Sequence, residues 1–166
     1  MKLVIAIISL LLCLGVSANM TYRYIVLDQQ CTGYLKRAAD SNKISRAITE
    51  LEIALKYLED NKMTEGYTSV IYRTPDEDVG FWYNNLKESL DNIKKIDTTN
   101  ISQLEESNVL MKLSETILDT NDSGTAITCP NGLSRFPHNA LYALLFWLLL
   151  SFAALFFLTV IYEENW

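Results

Sequence analysis

Histidine is nearly absent from this chain: 166 residues carry one, His138, which stands beside Pro137. A Ser/His/Asp relay would have to be built on that residue, at the mouth of an apolar run where an imidazole is poorly held between a serine and a carboxylate. Basic residues are also scarce, 14 Lys+Arg against 20 Asp+Glu, for a net charge of −6. No basic stripe is available to displace counterions from phosphates, which argues against nucleic acid as a partner. The phosphate-binding glycine loop, HExxH, CxxC and the dinucleotide fingerprint are all missing. The expectation is therefore a protein that is not an enzyme, with no cofactor and no metal.

Charge is missing altogether from two stretches, Leu3 to Val16 and Leu141 to Ile161. The second is 21 residues, about 31 Å as a helix, and matches a hydrocarbon core of about 30 Å. It reads as a transmembrane helix, with Tyr142 and Trp147 near one end and Tyr162 and Trp166 at the other as interfacial aromatics. The first is 14 residues, about 21 Å, which is short for a crossing. It follows Lys2 and precedes Val16-Ser17-Ala18, the pattern of a secretory signal cleaved after Ala18. The alternative extends the helix through Tyr22 to Val26 as an uncleaved anchor, carrying Asn19 and Arg23 near the interface.

Both readings give the same organisation: residues 1–18 as signal peptide or N-terminal anchor, 19–118 as a helical extracytoplasmic domain, 119–140 as a juxtamembrane loop, 141–161 as the transmembrane helix, and 162–166 as a short tail. That tail, Tyr162-Glu163-Glu164-Asn165-Trp166, has none of the Lys/Arg that cytoplasmic flanks usually carry. Asn19-Met20-Thr21, Asn100-Ile101-Ser102 and Asn121-Asp122-Ser123 fit the N-glycosylation pattern.

Cysteine is sparse as well. Cys13 lies in the first apolar run, leaving Cys31 and Cys129 as an even pair for an oxidising compartment. As a candidate disulfide they would close a loop of about a hundred residues, worth up to about 4.7 kcal/mol in the chain-entropy model. The alternative is two buried free thiols.

Between the apolar ends, spacing is helical. Tyr24, Leu27, Cys31, Tyr34 or Leu35 and Ala38 mark one stripe, and Ile44, Ile48, Leu51, Leu55 and Leu58 a second. Asp40-Ser41-Asn42 supplies an N-cap between them, and Asn61-Lys62 with Gly66 ends the second helix. The short connection predicts an antiparallel hairpin. Thr74-Pro75-Asp76-Glu77 predicts a third helix with Thr74 as N-cap and Pro75 at its first position, running to about Ile96 on a stripe of Val79, Trp82 or Tyr83, Leu86, Leu90 and Ile93. Its three early carboxylates, Asp76, Glu77 and Asp78, suit the helix dipole without a metal. A fourth helix is expected after Thr98-Thr99-Asn100 through Leu104, Met111 and Leu118. The fold class is all-α: an antiparallel hairpin or bundle of three to four helices plus the C-terminal transmembrane helix.

The segment joining the second and third helices is dense in aromatics. Tyr67, Tyr72 and Arg73 precede Phe81-Trp82-Tyr83-Asn84-Asn85. Two readings stand. The rings form a packed cap on the open end of the bundle, with Arg73 paired to Asp76 or Asp78. Or Tyr67, Tyr72, Arg73, Trp82 and Asn84 form a recognition groove for a peptide, glycan or partner helix.

Gly33-Tyr34-Leu35-Lys36-Arg37-Ala38-Ala39-Asp40, Gly66-Tyr67-Thr68-Ser69-Val70 and the string from Thr74 to Leu86 resemble a group of small uncharacterised bacterial membrane proteins common in cyanobacteria, over roughly residues 28 to 90. The resemblance implies a membrane location and a helical extracytoplasmic region behind an N-terminal anchor, and no activity. The functional expectation is a membrane-anchored interaction or assembly protein whose partners are the membrane and another protein. The second expectation is a ligand-binding or sensory ectodomain that uses the aromatic loop around Tyr67 to Tyr83.

Overall fold

The computed structural model describes residues 2–97, 101–121 and 124–164. The described chain is mostly helical, in the order α1 (Lys2–Leu27), a π-helical turn (Asp28–Thr32), α2 (Gly33–Ala39), α3 (Ile44–Asp60), α4 (Val79–Lys94), α5 (Gln103–Ile117), a two-stranded antiparallel hairpin of β1 (Leu118–Asn121) and β2 (Gly124–Ile127), and α6 (Asn139–Glu164). Two stretches, Lys2–Ala39 and Asn139–Tyr162, are helices long and apolar enough to cross a membrane.

The first of these does not stop at Ala18. It runs unbroken from Lys2 to Ala39 through the π turn, in which Gly33 closes the wide ring by donating its N–H to the Asp28 carbonyl. A Cβ on Gly33 would stand 2.7 Å from that same oxygen. Glycine is therefore required by the close approach, and the turn rotates the helix face by one residue. Leu27, Cys31, Leu35 and Ala38 are buried on the near side, whereas Tyr24, expected on the same stripe, is exposed.

α1 and α6 lie side by side and antiparallel. Ala6, Ser9 and Cys13 on one and Ala153 on the other are buried, and Leu3, Ala6, Leu150, Ala153 and Phe157 share one crevice. Small residues permit this close approach of two helices. Near the chain's turn out of the pair, the Tyr142 hydroxyl donates to Asn19 Oδ1 at 2.7 Å, and the Arg23 guanidinium lies 5.8 Å from the centre of the Tyr142 ring. Arg23 also donates through Nε to the Ser134 carbonyl (2.8 Å) and through Nη2 to the Phe136 carbonyl (3.0 Å).

α2 to α5 share one apolar core built on Leu35, Ile44, Leu51, Leu58, Val79, Leu86 and Ile117. The stripe expected on α3 is buried except for Ile48, which is half-buried. On α4 both Trp82 and Tyr83 are buried, so the stripe is wider than either alternative. The inner face of α5 differs from expectation: Leu104 and Met111 are exposed, and Leu110, Leu113 and Ile117 face the core. A capping box sets this phase, with Ser102 Oγ accepting from the Glu105 N–H and Glu105 bonding back to the Ser102 N–H at 2.9 Å. Thr98-Thr99-Asn100, expected to start this helix, lies outside the described residues.

Two other caps also move. α3 has Lys43 at its N-cap with no side-chain bond, and its first N–H, from Ile44, is accepted at 3.1 Å by Glu106 Oε1 of α5. Ser41, expected as a cap, instead donates to the Arg37 carbonyl. At α4, Pro75–Glu77 form a separate 3₁₀ turn, and the helix is capped by Asp78, whose Oδ1 accepts the Phe81 N–H at 3.0 Å. Thr74 Oγ1 bonds the Glu77 side chain rather than the backbone. The segment 119–140, expected as a loop, contains the β-hairpin and a 3₁₀ turn at Leu133–Arg135. Leu118, placed on the helical stripe, opens β1 instead.

The Ile44 to Glu106 bond fixes which ends meet. The α2–α3 turn and the start of α5 lie together at one end. At the other, Trp82 Nε1 donates to the Thr128 carbonyl, the Thr128 N–H donates to the Ile117 carbonyl at 2.8 Å, and the position a Gly66 Cβ would take lies 3.2 Å from the Phe136 ring. Residue 136 is three before the start of α6. The α3–α4 connection and the foot of α5 therefore adjoin the α1/α6 pair, and the α2–α3 turn is remote from it.

Candidate functional site

The α3–α4 connection is a pinned loop. α3 ends at Asp60, Lys62 takes a left-handed conformation (φ 56°), and Gly66 follows at φ 102°. Tyr67 and Asp78 pair as an antiparallel bridge, Thr68 N–H donates to the Glu77 carbonyl (3.1 Å), and Val79 N–H to the Gly66 carbonyl (2.9 Å). Residues 69–76 project from this base.

The five candidate recognition residues separate into different environments. Trp82 is buried, 7% exposed, with its ring in the core and its N–H on Thr128. Tyr72 is 73% exposed at the loop tip. The Arg73 guanidinium stacks on the Tyr67 ring at 4.9 Å, a cation–π contact in place of the expected ion pair with Asp76 or Asp78. The Asp78 carboxylate raises the Tyr67 pKa, first as a hydrogen-bond acceptor for the hydroxyl and then through its charge. Asp78 is correspondingly held below its ordinary value, first by the Phe81 N–H. Asn84 is exposed on the outer side of α4; its neighbour Asn85 faces the cleft described next.

That cleft, of about 300 Å³, lies between α4 and the β-hairpin. Phe81, Trp82 and Asn85 form one wall, Ile127 to Asn131 the other, and Asp76, Asp78 and Asp119 place carboxylates on its lining. It has an aromatic floor, an amide and an acidic rim, a surface able to hold an apolar group with a hydrogen-bonding or cationic end. Phe81 and Asn85, absent from the candidate set, which holds Asn84 instead, stand four residues apart in α4, a spacing that puts them on one helix face. The opposite wall comes from residues some forty positions downstream and carries no local signal.

Cys31 and Cys129 are both free thiols. Cys31 is fully buried beside α3, beyond the apolar run of α1, and Cys129 packs against the same core. Burial pushes the Cys31 thiol up to about 12, and the neighbouring Cys129 adds to the shift because two thiolates would repel. Burial also raises Cys129. Tyr83 bonds Glu59 through its hydroxyl at 2.6 Å, and its pKa rises, chiefly by burial. No group of three or more His, Cys, Asp or Glu placed to hold a metal ion occurs among the described residues.

No protein family, curated protein or solved structure matches this chain.

Proposed function

We propose that this is a membrane-anchored interaction protein: an antiparallel two-helix anchor of α1 and α6 carrying a four-helix extracytoplasmic bundle, whose contact site for a protein partner is the cleft beside Phe81. The observation that carries the anchoring is the outward face of the helix pair. Leu11, Leu14, Leu144 and Leu158 are each more than half exposed around it, a surface that lipid tolerates and water does not. Polar side chains within α1 support the same reading. Leu3 to Tyr22 is 20 residues without charge, about 30 Å of helix. Ser17 Oγ bonds the Cys13 carbonyl, Thr21 Oγ1 bonds the Ser17 carbonyl, and Asn19 meets Tyr142. The two hydroxyls and the Asn19 side-chain carbonyl thus find partners within the protein, as a bilayer demands. We accordingly favour α1 as a retained anchor over a cleaved signal, since cleavage after Ala18 would strip Ala153 of its cover.

Phe81, 63% exposed at the cleft rim with Trp82 beneath it, has the form of an aromatic anchor for a protein contact. The cleft's volume favours a second reading, a ligand-binding or sensory ectodomain. A photo-crosslinking amino acid at Phe81, activated in native membranes, is expected to yield one discrete protein adduct, absent when the crosslinker sits at Asn42 on the remote end. The same adduct from both positions, or none from Phe81, would refute the partner assignment. A small molecule retained by the purified chain and lost on Trp82→Ala would favour the sensor. N-terminal sequencing of the membrane form is expected to read Met1, and a start at Asn19 would overturn the retained anchor.

A further inference from the structure

We propose that the tip of the α3–α4 connection, Val70-Ile71-Tyr72, dips into the interfacial layer of the bilayer that α1 and α6 cross, as a third membrane contact. The inference rests on the membrane anchoring proposed above. It begins with exposure: Ile71 is 91% exposed, Tyr72 73% and Val70 50%, three consecutive apolar side chains presented together from a loop whose base is held rigid.

Connectivity then decides what such a tip faces. α2 continues α1 away from the helix pair, α3 returns, and the loop begins where α3 ends. Its Gly66 lies against the Phe136 ring, three residues before α6. Arg23 of α1 holds the carbonyls of Ser134 and Phe136. The loop base is thus tied to both spanning helices at the level where they leave the apolar layer. The antiparallel pairing of residues 66–68 with 77–79 keeps the tip on that end. The remote end, at the α2–α3 turn, carries the polar run Asp40-Ser41-Asn42-Lys43 instead.

The chemistry of the tip fits an interface. Branched aliphatics enter the acyl boundary, and tyrosine sits at headgroup level with its ring in and its hydroxyl out. Arg73, resting on Tyr67, keeps its charge above the tip. Glu65, Asp76, Glu77 and Asp78 flank the segment, so attraction to anionic headgroups is not the driving term. The occupant is a lipid surface that need not be acidic. Because Asp76 lines both the tip and the cleft, insertion would hold the cleft beside the bilayer, where a partner that is itself membrane-bound can reach it.

The test uses the full chain with its native cysteines, carrying a genetically encoded environment-sensitive fluorophore at Val70, in vesicles of phosphatidylcholine. Leu148 and Asn42 serve as reference positions for lipid and water. Quenching at position 70 by brominated lipid is expected to lie nearer the Leu148 value than the Asn42 value, with weak quenching by aqueous iodide, and unchanged when phosphatidylglycerol is added. An Ile71→Asp, Tyr72→Asp double variant, at positions that are both exposed, is expected to move position 70 to the Asn42 value with unchanged helicity. Water-like quenching at 70 with lipid-like quenching at 148 overturns the loop and leaves the anchor standing. Water-like quenching at 148 overturns the anchor and the loop with it. Protection at 70 that occurs only in native membranes, and never in pure lipid, also overturns the proposal, by assigning the tip to a protein.

Discussion

At the scale of single residues, Asp78 carries more of the local structure than Thr74, although the Thr-Pro-Asp-Glu string points to the threonine. A helix N-terminus has four N–H groups without intrahelical partners, and the side chain that reaches one of them is the cap. Asp78 reaches Phe81, whereas Thr74 is spent on Glu77. Thr74→Ala should therefore leave stability within about 0.5 kcal/mol, and Asp78→Ala should lower the denaturant midpoint measurably. The pH dependence has a definite sign. Asp78 is held below its ordinary value of 3.8, so the stability it contributes is present above that value and is lost as the pH falls through the lower folded-state value. Asp78→Asn should flatten the acid limb of the unfolding profile below about pH 4, the ordinary carboxylate range. An unchanged acid limb would remove the cap from this account.

At the scale of elements, the junction between the long apolar helix α1 and the core is the π turn at Asp28–Thr32. Such turns insert one residue into the helical phase and recur at functional positions. Here the turn lets one continuous helix present Ala6 and Cys13 to α6 and then Cys31, Leu35 and Ala38 to α3. Gly33→Ala would place a methyl 2.7 Å from the Asp28 carbonyl, well inside contact distance. Thermal unfolding of the detergent-solubilised chain should shift down for Gly33→Ala, while Gly15→Ala, where a Cβ meets nothing within 4 Å, should be neutral or slightly stabilising because alanine is the better helix former. Equal shifts for the two would mean that the π turn relaxes to an ordinary helix without consequence.

At the scale of the whole molecule, two free thiols come from opposite ends of the chain. Cys31 lies just after α1 and Cys129 just before α6, and we propose that they form a disulfide in an oxidising compartment. Exchange with an oxidised dithiol carrier would put the first mixed disulfide on the more accessible Cys129. Attack by Cys31 would then release the carrier as two thiols. Both thiols are raised in pKa, so thiolate is scarce and exchange should be slow at neutral pH and accelerate as pH rises. Non-reducing electrophoresis after such oxidation should show a faster-migrating monomer that disappears with Cys31→Ala or Cys129→Ala and persists with Cys13→Ala. A compact band that survives Cys129→Ala would refute the pairing.

The sequence alone determined what depends on local chemistry. Charge-free runs marked the two spanning candidates, and spacing of three and four marked Leu27 to Ala38, Ile44 to Leu58 and Val79 to Ile93 as helices, because burial of one face imposes its period on the residues that fill it. Tertiary structure decided whatever rests on partners distant in the chain. Glu106 caps α3 from 62 residues away, Thr128 anchors Trp82 from 46 away, and α6 covers the small-residue face of α1. A donor left open at a helix end is filled by any acceptor the fold brings near, and no local pattern states which one arrives. The same reason hid the wall of the cleft and the exposed position of Ile71, since both are set by where helices end in space rather than by which residues they contain.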